Sequence, residues 1–171
     1  MKFRKLFPER SLQVTSNLNE EAASERRELL IVTRDQRLLS AVSYIVTSHG
    51  WISRWASSVR MAKERLRSSP IPVVVYDGQT SAEDWSSAID RLRWVPEEPY
   101  VILATERVDE RLWRRAISME FYDVVARDLQ EDHLVATLTF AWQRKTAERL
   151  MLAGVAAAIA QHAAHSPKQA K

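Results

Sequence analysis

Pro72-Val-Val-Val-Tyr-Asp77 is the stretch on which the fold turns. Three valines and a tyrosine are β-branched and aromatic types that fit a pleated backbone. No polar residue alternates with them, so both faces of this strand need cover, as in the interior of a parallel sheet. The run ends on an acid, Asp77, at the carboxyl end of the strand.

Working outward, the same kind of unit recurs on both sides. Glu28-Leu-Leu-Ile-Val-Thr33 predicts a buried strand, followed by Leu38, Val42, Ile45, Val46 and His49 on one face of a helix that Gly50 ends. Trp51-Ile-Ser-Arg-Trp-Ala56 alternates like a strand. A basic helix bearing Met61, Ala62 and Leu66 follows it, and Ser68-Ser69-Pro70 stops that helix. After Asp77, Thr80 and Glu83 have capping-box spacing ahead of a helix with Trp85, Ala88, Ile89 and Leu92. Pro96 and Pro99 bracket the next turn.

Tyr100-Val-Ile-Leu-Ala-Thr105 is the fourth strand, and Asp109 is placed to cap a helix bearing Leu112, Trp113, Ala116 and Ile117. Tyr122-Asp-Val-Val-Ala-Arg127 is the fifth, with a last helix opening near Asp128. Strands alternating with helices across short turns imply right-handed crossovers and a parallel sheet covered on both faces. The expected architecture is α/β: a doubly wound, five-stranded parallel sheet in the order 2-1-3-4-5, with an extended C-terminal helix. Residues 1–25 are expected as a tail, 26–145 as the domain, and 146–171 as a helical extension and tail.

Composition narrows the function classes. The 171 residues are 46% hydrophobic and 27% charged, the balance of a globular chain. There is no cysteine, hence no disulfide, thiolate nucleophile or Cys-based metal site. With three glycines, at 50, 78 and 154, neither a Walker loop nor GxGxxG can be written. The longest apolar run, Leu150 to Ala160, is short of the roughly 20 residues of a membrane span. A basic, aromatic N-terminus with no apolar run behind it leads us to expect a cytoplasmic protein; with no apolar span and these catalytic motifs missing, neither membrane attachment nor enzymatic activity is expected. A net charge of +3 argues little for nucleic acid.

In a sheet of this order the functional crevice lies beyond the carboxyl ends of the strands. The first strand delivers Thr33, Arg34 and Asp35, and the third Asp77; the fourth delivers Thr105 and Glu106, and the fifth Arg127. In order, spacing and position, Glu28 to Arg144 resembles a response-regulator receiver domain. The resemblance implies that Asp77 stands at the phospho-acceptor position, with Thr105 and Arg127 at the switch and phosphate-pairing positions. It implies a place in two-component phosphorelay signalling and a sensor histidine kinase as phosphoryl donor.

The departures are as informative. Thr33 and Arg34 occupy the positions of the family's paired metal-binding acids, leaving only the neighbouring Asp35 acidic. An arginine has no lone pair to give a cation and repels it, so Mg²⁺ is expected to bind weakly or not at all. Arg127-Asp128 replaces the family's Lys-Pro pair, so no proline favours a cis bond there, and Val124 replaces its switch aromatic. Asp77 is thus either a live phospho-acceptor or a structural carboxylate paired with Arg34 or Arg127. The second reading is favoured, with Arg34 expected in the volume of the missing metal.

Other features have plainer readings. Glu106 reads as a solvated loop acid, and Thr105 reads equally as a strand-end hydroxyl bonded to nearby backbone. Arg111, Arg114 and Arg115, near Arg91 and Arg93, read as solvated helix faces, and the six tryptophans as core. His162 and His165 lack a companion acid and read as tail residues. Leu152, Val155, Ile159 and Ala163 fall on one stripe of the C-terminal extension, suited to self-association or a partner helix, if the segment does not simply fray. The expected whole is a single-domain, degenerate receiver without an output domain, acting by protein–protein contacts. The alternatives are a flavodoxin-like FMN or nucleotide binder, for which Thr33–Arg37 is a thin phosphate loop, and a ligand-free adaptor.

Overall fold

The structure, a computed structural model, describes residues 26–80 and 85–165. Its strands are β1 (Glu28–Val32), β2 (Ile52–Ala56), β3 (Val73–Asp77), β4 (Tyr100–Thr105) and β5 (Asp123–Ala126). Between and after them run α1 (Gln36–Ser48), α2 (Val59–Ser68), α3 (Trp85–Arg93), α4 (Glu110–Ser118) and α5 (Glu131–His165). All strand pairings are parallel and the order is β2-β1-β3-β4-β5, as the sequence predicts. Contacts divide the chain at Lys145: Arg26–Lys145 form one compact unit, and residues from Thr146 belong to another.

Within the first unit, alternate residues of each strand feed opposite cores. Leu30, Val32, Val74, Tyr76 and Leu103 point toward α2, α3 and α4, meeting Ala62, Leu66, Ile89, Leu92 and Ala116. Leu29, Ile31, Val73, Val75 and Ile102 point the other way, to Leu38, Val42 and Val46 of α1 and Leu134 and Leu138 of α5. Every residue of β3 is buried, which is why its sequence shows no alternation. The β2 edge is more open: Arg54 is exposed and bonds Glu28 at 2.9 Å.

Local chemistry sets most helix ends. Asp35, Ser58 and Asp109 cap α1, α2 and α4, their side chains accepting backbone N–H groups of the first turns. Gly50, at φ 76°, closes the turn after α1 in a conformation that other residues resist. The Thr80 hydroxyl donates to the Val32 carbonyl at 3.2 Å, and its expected capping partner Glu83 lies outside the described residues. Helix α5 begins at Glu131 rather than near Asp128.

One sequence expectation fails in part. Trp51 and Trp142 are buried against each other edge-to-face, but Trp55 and Trp113 are 40% and 43% exposed and Trp94 is 83% exposed. The indole N–H explains two of the three. Trp55 donates to the Thr33 carbonyl at 2.9 Å and Trp113 to the Asp123 carboxylate at 3.1 Å, both at the rim of the sheet where polar partners are available. Trp94 follows the last turn of α3, with the Lys63 ammonium over its ring.

Candidate functional site

The carboxyl ends of β1, β3 and β5 bring Thr33, Asp35, Asp77 and Arg127 together. Asp77 is 2% exposed, as the last residue of the fully buried strand. A carboxylate so deeply placed requires donors. The Thr33 hydroxyl donates to its Oδ2 at 2.6 Å, and the Gln79 backbone N–H to its Oδ1 at 3.1 Å. Arg127 Nη2 stands 3.6 Å from the same Oδ2.

Arg127 reaches further than Asp77. Its Nη2 donates to Asp35 Oδ2 at 2.5 Å, and its Nη1 to the Gln79 side-chain carbonyl at 2.7 Å. Its side chain is 14% exposed. Asp35 holds the other end: its Oδ1 accepts Arg37 N–H at 2.8 Å and its own N–H donates to Thr33 Oγ1 at 3.0 Å. The Arg37 N–H lowers the Asp35 carboxyl below its ordinary value, with Leu38 N–H and the charges of Arg127 and Arg37 adding to the effect against some desolvation.

Arg34 is not part of this cluster, contrary to the sequence expectation. Its side chain is exposed and donates through Nε to the Ser57 carbonyl at 3.1 Å. The β1–α1 turn sends consecutive side chains in different directions. Thr33 goes inward to Asp77, Arg34 outward to the β2–α2 loop, and Asp35 back onto its helix. The cation facing Asp77 is therefore Arg127.

Thr105 lies at the same end of the sheet, buried, its carbonyl accepting Arg127 N–H at 2.8 Å. Val124 is buried in the core beneath β5. Exposed Glu106 borders a shallow depression of about 370 Å³ with Asp35, Arg37 and Arg127. His162 is exposed, and the side chain of His165 lies outside the described residues.

Sequence reasoning missed three roles. Asp35 as the cap of α1 was legible, because an acid directly before an apolar-periodic segment is a helix-start signal. The Thr33 bond to Asp77 and the Gln79 bond to Arg127 join residues 44 and 48 positions apart, and no local pattern marks them.

The donor set does not fit a divalent metal ion. Asp35 and Asp77 have their oxygens engaged by N–H and O–H donors, a guanidinium stands between them, and Thr33 and Arg34 bring no carboxylate. Among the described residues no group of three or more His, Asp or Glu is gathered where it could hold a metal. The β1–α1 turn is also poorly disposed as a phosphate loop, since Thr33 Oγ1 and the Arg37 and Leu38 N–H groups already have partners.

No protein-family model matches the chain, and no curated protein matches it in sequence. Solved structures do match in shape. The receiver domain of an HD-domain-containing protein from Pseudomonas fluorescens Pf-5 is 20% identical, with a TM-score of 0.65 over 74% of this chain and 93% of that one. The receiver domain of a putative LuxO repressor protein from Vibrio parahaemolyticus is 18% identical, with a TM-score of 0.65 over 74% of this chain and 98% of that one. The beryllofluoride-activated NtrC4 receiver domain dimer is 20% identical, with a TM-score of 0.62 over 69% of this chain and 98% of that one. With its strand order and the position of Asp77, the chain has the fold of the response-regulator receiver domains. No helix among the described residues is long and apolar enough to cross a membrane.

Proposed function

We propose that the chain is a receiver-like signalling module of a two-component system, impaired in Mg²⁺-dependent phosphorylation and acting through protein–protein contacts. The observation that carries this reading is Asp77. It stands where a receiver's phospho-acceptor stands, yet is 2% exposed with both oxygens held by Thr33 and the Gln79 backbone. A nucleophilic carboxylate needs a free oxygen directed at the incoming phosphorus. Here one oxygen accepts a hydroxyl and the other a backbone N–H, and the acid that follows β1, Asp35, is paired with Arg127.

The partners consistent with this reading are a sensor histidine kinase or another signalling protein. A second copy of the chain is a further one, through the extension of α5, where Leu152, Val155 and Ile159 are each more than half exposed. The test of the cleft is exposure of the intact protein to beryllofluoride or acetyl phosphate, with and without Mg²⁺, read by intact mass and by the amide resonances of Asp77 and Gln79. The expected result is no adduct and no shift while the fold stays intact. A Mg²⁺-dependent change at Asp77 would overturn the impairment and make the chain a working phospho-acceptor.

A further inference from the structure

The cleft holds two carboxylates and one guanidinium, joined at a single nitrogen. Arg127 Nη2 faces Asp35 Oδ2 at 2.5 Å and Asp77 Oδ2 at 3.6 Å, while Nη1 donates to Gln79 at 2.7 Å. Arg127 thus spans the ends of all three loops that define the site: β1–α1 through Asp35, β3–α3 through Gln79, and its own at the end of β5. Its side chain is 14% exposed and that of Asp77 2%, so water has limited access to that pair, while Asp35 at 39% stands at the open rim. Of the other arginines nearby, Arg34 is turned out to Ser57 and Arg37 is exposed on α1.

A guanidinium differs from a metal ion in ways that matter here. It is permanently protonated, cannot leave, and presents several N–H donors in a fixed plane. Placed between two carboxylates it neutralises their repulsion and satisfies their oxygens, the two services a divalent cation gives an acidic cleft. It also repels such a cation at short range. The misfit between this donor set and a metal then has a specific cause.

We propose that Arg127 is the resident cation of the cleft, holding Asp35, Asp77 and Gln79 in register in place of a divalent ion and barring one from the site. This rests on the reading of the cleft as closed to Mg²⁺. It adds that one side chain closes it, and that removing the charge leaves Asp35 and Asp77 requiring a cation from solution.

The test compares the native chain with Arg127→Met and Arg127→Gln. Mn²⁺ binding is measured by calorimetry and by the Mn²⁺ dependence of the thermal transition, with circular dichroism reporting the fold. The native chain, which keeps the guanidinium, is expected to show no Mn²⁺-dependent shift. The neutral variants are expected to unfold at lower temperature without metal and to bind Mn²⁺ about tenfold more tightly than the native chain, or better. Adding Asp35→Asn to either should abolish that gain. Arg127→Gln keeps an amide donor, so it serves where Arg127→Met folds poorly. Folded neutral variants that bind Mn²⁺ no better than the native chain would overturn the proposal. So would a gain that survives Asp35→Asn, because the ion would then lie elsewhere. A native chain that binds Mg²⁺ and takes up beryllofluoride defeats the closed-cleft reading instead, a result seen without any variant.

Discussion

At the scale of single residues, Asp35 shows how one side chain serves two purposes. Its Oδ1 caps α1 through the Arg37 and Leu38 N–H groups, and its Oδ2 takes the Arg127 guanidinium. Both interactions favour the ionised form, and they hold its carboxyl below the ordinary 3.8. A group lowered on folding contributes stability that is complete above its unfolded value and is lost as pH falls through its folded value. Asparagine also caps helices, so Asp35→Asn keeps much of the cap and removes the charge. The native chain should be the more stable of the two at neutral pH, and the gap should close as pH falls below the ordinary carboxylate range. Urea unfolding at a series of pH values measures it; a gap that persists in acid would mean that the Arg127 pair contributes nothing. Arg34 makes the complementary point. It sits one position from Asp35 and carries the same charge as Arg127, yet it bonds a carbonyl of another loop.

At the scale of elements, the β3–α3 connection packs tightly behind the site. Gly78 follows Asp77 directly, its N–H donates to the Ala104 carbonyl at 2.9 Å, and its own carbonyl accepts the Trp85 indole N–H at 3.2 Å. A Cβ on Gly78 would stand 3.2 Å from both Leu103 Cδ1 and Trp85 Nε1. Gly78→Ala should therefore destabilise the fold by about 1–3 kcal/mol through overpacking. Much of that cost should disappear in a Trp85→Phe background, where the smaller ring leaves room. A double-mutant cycle by denaturant unfolding checks this, and purely additive effects would show that Trp85 is not what crowds the position. The helix ends had been more readable: Asp109 and Gly50 act at α4 and α1 as their sequence neighbours suggest. Caps are local, settled within a few residues, whereas the Gly78 contacts come from two other elements.

At the scale of the whole molecule, the two buried layers on either side of the sheet account for the fold, and the C-terminal extension stands outside that account. Leu152, Val155 and Ile159 recur at spacings of three and four in a helix that runs to His165. Four large apolar side chains, Met151 with these three, are all more than half exposed. Their burial against a second copy follows from the proposed self-association, and sedimentation equilibrium reads it. The native chain should sediment as a dimer or larger. Replacing Leu152, Val155 and Ile159 together by Gln should yield the monomer with an unchanged circular dichroism spectrum. A native chain already monomeric at high micromolar concentration removes the self-association.

The fold was legible because its signals are short-range. An uninterrupted valine run demands burial on both faces, and a three-to-four-residue apolar spacing demands a helix with one buried side. Five alternations of the two leave few topologies, and they place Thr33, Asp77, Thr105 and Arg127 at one end of the sheet before any coordinate is known. What the sequence could not decide is which groups pair once there. A guanidinium on a long, flexible stem can reach many acceptors, and the choice depends on loops that fold from distant parts of the chain. Only the tertiary structure turned Arg34 outward to Ser57, set Arg127 between Asp35 and Asp77, and left Trp55, Trp94 and Trp113 at the surface. Strand and helix follow from the nearest few residues; the partner of a buried charge is set by everything that packs around it.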